Sequence, residues 1–183
     1  MLTGQAAPLL LVVLVGIPGS GKSTFAKALT DGAALDASTT TMARPWCRVS
    51  QDVLGNRGRC IKRAEDALSA GEHVVIDRCN FDLPQRAHWL NLRSPPVLRI
   101  AVYLECTRDE ARRRVISRGP HEGGVDIVNM GKPKLSSIVA RMDESLRLPS
   151  LDEGFDELLV VEQGASRMPA MERIWSLASH SVD

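Results

Sequence analysis

Residues 9–23 read Leu-Leu-Leu-Val-Val-Leu-Val-Gly-Ile-Pro-Gly-Ser-Gly-Lys-Ser, and this stretch decides the fold of the chain. Its unbroken apolar run, which ends at a glycine, predicts a strand buried on both faces, as in parallel sheets. The remaining residues match the pattern G-x-x-x-x-G-K-[ST] in full, and a helical segment follows them. The stretch therefore predicts a strand, a tight loop and a helix in succession.

The loop has the composition of a phosphate-binding site. Its glycines let backbone N–H groups turn toward an anion, and the following helix directs its positive end toward the same point. Lys22 is expected to reach the β- and γ-phosphates, and the Ser23 hydroxyl is the candidate Mg²⁺ ligand. The residues expected to bind the nucleotide are Gly16, Pro18, Gly19, Ser20, Gly21, Lys22, Ser23 and Thr24.

Beyond the loop, short apolar runs alternate with helical periods, which predicts an α/β fold with a parallel sheet. The length of 183 residues suits one domain, 1–183. A polar stretch, 31–44, predicts a loop, and the glycine- and proline-rich stretch 119–133 predicts a lid. Predicted strands are 9–15, 47–50, 73–77, 97–104 and 158–162; predicted helices are 22–29, 57–70, 84–91, 109–118, 135–147 and 167–178.

Composition excludes several classes of protein. Hydrophobic residues are 44% and charged residues 25%, which argues against a disordered chain or a disulfide scaffold. The net charge of +1 gives no overall field for a polyanion, so a nucleic-acid contact would need local basic clusters. The four cysteines are widely spaced and the first apolar run is too short to span a membrane, so we expect reduced thiols and a cytoplasmic or nuclear location.

A phosphate-binding loop does not reveal what happens to the γ-phosphate. The guanine-reading motif N-K-x-D of GTPase switches is absent, and so is an apolar strand ending in Asp-Glu, as motor ATPases have. Small kinases remain, and they need a base beside the acceptor hydroxyl, cations around the phosphates and a lid that excludes water. The rest of the sequence contains candidates for these parts.

The base candidates follow predicted strands, where parallel sheets bind ligands. Asp52 follows the second strand and Asp77 ends the third, and a helix-capping role is the alternative for each. Two basic clusters, 57–63 and 108–118, are candidates for phosphate contacts or are simply solvated faces. Arg114 and Arg118, spaced i,i+4, lie on one helical face leading into the lid.

Three segments together resemble the polynucleotide 5′-kinase domain. They are Gly-Ile-Pro-Gly-Ser-Gly-Lys-Ser-Thr-Phe at 16–25, Asp-Val-Leu-Gly at 52–55 and Ile-Asp-Arg-Cys-Asn at 76–80, and the resemblance covers roughly residues 9–162. The chain resembles the kinase part of metazoan polynucleotide kinase–phosphatases, and it also resembles kinase modules joined to aprataxin-like proteins in plants and fungi. The resemblance implies a P-loop kinase fold, with a parallel five-stranded sheet of order 2-3-1-4-5 and an arginine-bearing lid at about 114–133.

The resemblance also implies roles on the donor side. Lys22 falls on the residue that contacts the phosphates, and Ser23 falls on the Mg²⁺ ligand. Arg118, and beside it Arg114, fall near the lid arginine that steadies the transferring phosphoryl group, so Lys22 and Arg118 are catalytic candidates. The implied reaction is Mg²⁺-dependent transfer of the γ-phosphate of ATP or GTP to a 5′-hydroxyl end of DNA or RNA.

On the acceptor side, the resemblance implies that Asp52 is the general base. Arg59 falls on a basic position of the acceptor groove, and Asp77 and Asn80 fall on the D-x-x-N segment beside the acceptor. Where the phage enzyme carries an arginine, three residues after its base, this chain has glycine. Arg57 or Arg59 must then supply the contact to the acceptor phosphate, or that contact is missing.

Two other functions remain open at this point. A kinase of a nucleoside, sugar nucleotide or other metabolite would use the same loop, base and lid, and it suits the neutral net charge. A module that binds nucleic-acid ends without turnover would need no base. No phosphatase or nucleotide-transferase signature is present, so we expect a kinase module alone, joined to other repair domains in a longer parent protein.

Overall fold

The computed structural model describes residues 8–36, 44–117 and 132–179. Helices flank a five-stranded parallel sheet on both faces. The strands are β1 Leu9–Val15, β2 Trp46–Ser50, β3 His73–Asp77, β4 Val97–Leu104 and β5 Glu157–Val161. The helices are α1 Lys22–Asp36, α2 Gln51–Leu54, α3 Arg57–Ser69, α4 Leu83–Leu90, α5 Arg108–Ser117, α6 Lys132–Ser145 and α7 Met168–Ser179, with a 3-10 turn at Leu151–Glu153. Across these ranges, no helix is long and apolar enough to cross a bilayer.

The strand order is β2-β3-β1-β4-β5, which confirms the predicted order. All neighbouring strands run parallel, and β1 lies at the centre with every residue buried. The register pairs Ser50 with Asp77 at the ends of β2 and β3, and Val15 with Tyr103 near the ends of β1 and β4. The carboxyl ends of the strands therefore form one edge, where the loop also lies.

The core has a layer on each face of the sheet because side chains of a strand alternate. In β1, Leu10, Val12 and Leu14 pack with residues of α1 and α7. Leu11 and Val13 pack on the opposite face with residues of α3 and α4. All five are at most 1% exposed, and each such side chain contributes about 1.5–3 kcal/mol to stability.

A third cluster fixes the loop to the helices that flank the predicted lid. Ile17, inside the loop, is 1% exposed and packs in a cluster with Ala111 and Val115 of α5 and with Leu135 and Val139 of α6. Because α5 and α6 pack against each other, the loop and this helix pair share one small core. The predicted lid segment joins these two helices, and residues 118–131 of it lie outside the described residues.

Helix α1 is longer than predicted, and the predicted loop at 31–44 is wrong for residues 31–36, which are helical. The composition around Gly32 favoured a loop, but α7 packs over this turn. A Cβ at Gly32 would overlap the Trp175 indole, and Trp175 Nε1 donates to Leu29 O at 3.1 Å. Tertiary packing thus extends the helix through a residue of low helix propensity. Residues 37–43 lie outside the described residues.

Candidate active site

The loop between β1 and α1 contacts a residue that follows β3 and a helix, α5, that follows β4. Gly16 N donates to Cys79 O, after β3, at 3.0 Å. Gly19 and Gly21 have φ of +88° and +98°, and a Cβ there would lie 2.6 Å from Ala111 O and 2.5 Å from Arg167 Nη2, respectively. The positive φ favours glycine at both positions, and at Gly19 the backbone of Ala111 also leaves no space for a Cβ, whereas at Gly21 only the flexible end of Arg167 would have to move.

Lys22 directs its charge into the loop rather than into solvent. Its side chain is buried, and Nζ donates to Ile17 O at 2.7 Å and to Ser20 Oγ at 3.3 Å. Both acceptors are neutral groups of the loop itself, so the ammonium sits where backbone N–H groups would hold a phosphate. Pro18 is half-buried and Thr24 is exposed, at the loop and at the first turn of α1.

Asp77 joins the loop to the second strand. Its Oδ1 accepts from Ser23 Oγ at 3.2 Å, and its Oδ2 accepts from Arg48 Nε at 2.9 Å and from Nη2 at 2.6 Å. The side chain of Asp77 is 3% exposed and that of Arg48 is 18% exposed. The structure brings Asp77 against Ser23, the candidate metal ligand, and its expected place beside the acceptor stays a prediction.

The pair formed by Ser23 and Asp77 fits Mg²⁺. A hydroxyl and a carboxylate are hard oxygen ligands, and Mg²⁺ is usually held by one or two protein groups together with substrate phosphates and water. No group of three or more His, Cys, Asp or Glu side chains able to hold a metal occurs within the ranges that the structure covers. The oxygen pair beside the loop is thus the candidate Mg²⁺ position.

A cavity of about 330 Å³ opens beside the loop at the ends of β4 and β5. Arg167 lies against Gly21 from one side of this cavity. Its lining includes Ser20, Leu104, Arg114, Gln163, Arg167 and Met171. The size and the position next to the phosphate loop suit the nucleoside part of a donor nucleotide.

Arg114 extends from α5 to the phosphate loop. The sequence predicts this residue on the helical face that leads into the lid. Its Nη1 donates to Gly19 O at 3.3 Å, and its Nε donates to Glu110 Oε1 at 2.7 Å. Arg114 is therefore already oriented along the donor side of the loop. Arg118, the other predicted lid arginine, lies outside the described residues, so its role stays a prediction.

The acceptor side begins at α2, a short helix that the sequence did not predict. Asp52 is exposed on this helix, directly after β2. It is not the N-cap, a position that Ser50 occupies. Burial raises the pKa of Cys60, and the Asp52 charge adds to that shift. Asp52 is thus an accessible carboxylate at the edge where the loop lies.

Arg57 and Arg59, both exposed, begin α3 beside Asp52. Arg57 Nη1 lies 2.8 Å from His88 Nε2, and Nη2 donates to Gln85 Oε1 at 3.5 Å. The Arg59 backbone N–H donates to Asn56 Oδ1 at 3.0 Å, and Arg59 Nη1 lies 3.9 Å from where a Cβ on Gly55 would be. The structure therefore brings both arginines to the Asp52 side of the edge.

Asn80 has a different environment from the one expected. It is 3% exposed, and its Nδ2 donates to Leu14 O at 2.8 Å and to Arg78 O at 3.3 Å. Its Oδ1 accepts from Trp89 Nε1 at 2.7 Å. With φ of +46°, it is the one non-glycine residue of positive φ in the described ranges. The hydrogen bonds of this side chain join β1, the turn after β3 and α4, and its predicted place beside the acceptor stays a prediction.

Sequence reasoning missed three arginines of this edge. Arg78 could have been found, since it directly follows the strand-ending Asp77. Arg48 lies within β2, and its partner is known only from the pairing of β2 with β3. Arg167 is distant in sequence from the loop that it contacts, and no local signal marks it.

These features define a class: the sheet order, the loop at its carboxyl edge and the Ser23–Asp77 contact are those of a P-loop kinase fold. The chain belongs to the AAA domain family AAA_33, whose model matches residues 11–132. It is 35% identical over 155 residues to "Transcription factor bHLH140" of Arabidopsis thaliana, covering 82% of this chain and 16% of that protein. It is 29% identical over 146 residues to the "Bifunctional polynucleotide phosphatase/kinase" of Schizosaccharomyces pombe, covering 79% and 31%. The chain thus spans less than a third of the length of each of these two relatives.

Solved structures agree on the fold. Kti12 of Chaetomium thermophilum, in complex with ADP-AlF3, superposes with a TM-score of 0.67 at 17% identity, covering 93% of this chain and all of that one. A fungal RNA kinase superposes at 0.64 and 15% identity, covering 93% and 85%. A gluconokinase of Sinorhizobium meliloti superposes at 0.57 and 14% identity, covering 96% and 94%. At these identities the likeness extends to the fold alone.

Proposed function

We propose that this protein is a Mg²⁺-dependent kinase that transfers the γ-phosphoryl group of ATP or GTP to the 5′-hydroxyl end of DNA or RNA. The observation that carries the proposal is the exposed Asp52 carboxylate at the edge that holds the phosphate loop. Asp52 follows β2, two strands from β1, and strands spaced about 4.8 Å apart separate them by roughly 10 Å. That gap suits an acceptor hydroxyl and a γ-phosphate. The relative named as a polynucleotide phosphatase/kinase supports a nucleic-acid acceptor.

In the proposed step, the acceptor oxygen bonds to the γ-phosphorus while the bond from that phosphorus to the β,γ-bridging oxygen breaks. The hydroxyl proton passes to Asp52, and the diphosphate leaves with the electron pair. Lys22 moves from its loop carbonyl to the phosphates and offsets their charge. Ser23 and Asp77 would hold Mg²⁺, which when bound neutralises phosphate charge.

The arginines of the site are proposed to form two groups, one that contacts the donor nucleotide and one that contacts the acceptor. Arg114, and with it Arg118 of the predicted lid, is proposed to steady the transferring phosphoryl group. Arg57 and Arg59 are proposed to contact the acceptor. Guanidinium groups suit both tasks because they bind phosphate oxygens through two parallel N–H groups.

The test is transfer of γ-labelled ATP or GTP to 5′-hydroxyl DNA and RNA oligonucleotides in the presence of Mg²⁺. We expect labelled strands, and Asp52→Asn should lower turnover roughly 10²-fold, as for a lost general base. The matched control is Asp152→Asn, an exposed aspartate on the 3-10 turn, which should leave turnover unchanged. Equal turnover in the Asp52 variant and the control would contradict the role of Asp52.

The second candidate is a kinase of a small metabolite, which the net charge of +1 favours. The salt dependence of acceptor binding distinguishes the two candidates. The affinity for a strand bound through its phosphates falls steeply as the salt concentration rises, whereas the affinity for a neutral small acceptor does not. No label on any strand, together with tight nucleotide binding, would contradict the nucleic-acid acceptor. Strand binding without transfer would instead favour an end-binding module.

A further inference from the structure

Arg86 of α4 is a fully buried charged side chain, and each nitrogen of its guanidinium group has a hydrogen-bond partner. Nε donates to Glu153 Oε2 at 2.6 Å and Nη2 donates to Glu153 Oε1 at 2.7 Å, which forms a two-pronged ion pair with the 3-10 turn. Nη1 donates to Asn80 O at 3.0 Å and to Arg147 O at 2.9 Å. One side chain therefore joins α4 to three other segments of the chain.

The first of these segments is the turn after β3, which contacts the phosphate loop. Gly16 N, at the start of the loop, donates to Cys79 O at 3.0 Å. Asn80, the next residue, donates from Nδ2 to Leu14 O at 2.8 Å, near the end of β1. The carbonyl that Arg86 holds therefore belongs to a turn that is hydrogen-bonded both to β1 and to the loop.

The second segment is the chain directly after α6, a helix that packs near the loop. Leu146, one residue before the other carbonyl that Arg86 holds, packs against the cluster that contains Ile17 of the loop. Arg147 N also donates to Phe81 O at 2.7 Å. The end of α6 is therefore fixed to the turn after β3 twice, by a backbone hydrogen bond and by Arg86.

We propose that Arg86 is a positioning residue for phosphoryl transfer. By fixing the end of α6 to the turn after β3, it sets the position of α5, which packs against α6 and carries Arg114, relative to the phosphate loop. The inference rests on the proposed function, in which the loop holds the phosphates and Arg114 steadies the transferring group. A displacement of about 1 Å between such groups lowers the rate roughly 10²-fold. Because Arg86 is fully buried, it acts through these contacts and not by touching a substrate.

The hydrogen bonds of Arg86 separate positioning from stability. Nε and Nη2 pair with the charge of Glu153, whereas Nη1 alone bridges Asn80 and Arg147. A substitution that weakens the ion pair but keeps Nη1 in place should change stability. A substitution that removes Nη1 should change transfer.

The experiment compares Arg86→Met/Glu153→Gln with Glu153→Gln alone, in the full chain. The double variant removes the bridging Nη1 and leaves no unpaired buried charge. The single variant removes the negative charge, but its amide oxygen still accepts from the guanidinium, so Nη1 stays in place. The measurements are kcat for label transfer to a 5′-hydroxyl oligonucleotide, the Kd of Mg²⁺–ATP by calorimetry, and the midpoint of urea denaturation.

We expect kcat of the double variant to fall roughly 10- to 100-fold. The Kd of Mg²⁺–ATP should stay at the wild-type value, because the residues of the loop are unchanged. Glu153→Gln should unfold at a lower urea concentration than the wild type, since it leaves a buried guanidinium without its counter-charge, and yet it should keep the wild-type kcat. If the double variant does not bind Mg²⁺–ATP, Arg86→Lys replaces it. A single ammonium cannot span the carboxylate and both carbonyls, so kcat should again fall while Kd is unchanged.

Two outcomes overturn the inference, and they are distinguishable. If the wild type labels the oligonucleotide and the folded Arg86 variants keep its kcat, or if Glu153→Gln loses as much kcat as they do, the ion pair only stabilises the fold and the proposed function stands. If the wild type labels no oligonucleotide, the proposed function fails and the inference fails with it.

Discussion

Polar side chains at the two edges of the sheet differ in the hydrogen-bond partners that hold them. At the amino edge, His73 Nδ1 accepts from Leu10 N at 3.0 Å, and Asp156 Oδ2 accepts from Arg99 N at 2.7 Å. Each of these side-chain acceptors is paired with a backbone N–H of a strand. At the carboxyl edge, the Lys22 ammonium is held only by neutral atoms of its own loop, whereas a buried guanidinium nitrogen without a hydrogen-bond partner in the described ranges occurs near each edge, at Arg78 Nη1 and at Arg99 Nε.

This difference indicates which edge presents charged side chains that can bind a ligand. Pairing a buried polar group internally stabilises the fold, whereas leaving a cation incompletely paired costs stability and preorganises a site. Substitutions at the carboxyl edge should therefore change phosphoryl transfer more than stability. Substitutions at the amino edge should do the reverse.

Lys22→Ala should give the largest effect on activity of any single change at the carboxyl edge. It removes the buried ammonium that faces the phosphates, so turnover should fall roughly 10²- to 10³-fold. The measurement is label transfer at saturating nucleotide and acceptor. Lys27→Ala, an exposed lysine of the same helix, is the control and should retain wild-type turnover. Comparable losses in both variants would argue against a specific role for the loop lysine.

Asp77→Asn should give the next largest effect, on the requirement for Mg²⁺. The carboxylate next to Ser23 Oγ is lost, and the Mg²⁺ concentration for half-maximal rate should rise roughly 10- to 100-fold. The same substitution weakens the ion pair with Arg48, so the control is Arg48→Met, which breaks that pair and keeps the carboxylate. The control should need no more Mg²⁺ than the wild type. An equal rise in both variants would mean that the ion pair, and not a metal contact, is responsible.

The phosphate loop was predictable because it is contiguous in sequence. One strand, one loop and the first turn of one helix carry it, and all five predicted strands lie within one residue of the observed bounds. Buried parallel strands give this clear signal because they are apolar on both faces. The cap of α4 is equally local, since Asp82 Oδ1 accepts from the backbone N–H of Gln85, three residues further on, at 2.9 Å.

The rest of the site was less predictable because its contacts join residues that are distant in sequence. The ion pair between Arg48 and Asp77 depends on β2 lying beside β3, and the stacking of Arg78 on Trp89 depends on how α4 packs. Asn80 matched a motif position, yet its hydrogen bonds to Leu14 and Trp89 are long-range. Sequence patterns identify which residues reach an edge, while packing decides which of them face a substrate.

His73, at the amino edge, should have the smallest effect on activity and a clear effect on stability in acid. Burial lowers its pKa to about 4, and the charge of Arg44 adds to the shift. The neutral ring accepts from Leu10 N and lies 4.9 Å from the Trp46 ring, between centroids. Because the unfolded histidine has a pKa near 6.5, the unfolded state binds the proton first as the pH falls, and stability is lost between about pH 6.5 and pH 4.

This linkage predicts that the free energy of unfolding falls by about 2 kcal/mol between pH 7.5 and pH 5.0 through His73 alone. Urea denaturation at the two pH values measures it. His73→Asn keeps an oxygen that can accept from Leu10 N but does not titrate, so the difference between the two pH values should shrink by that amount. The control, His88→Asn, replaces a histidine that is only partly buried and should keep the wild-type difference. Phosphoryl transfer at pH 7.5 should be unchanged in His73→Asn, and a large loss there would contradict the division of roles between the two edges.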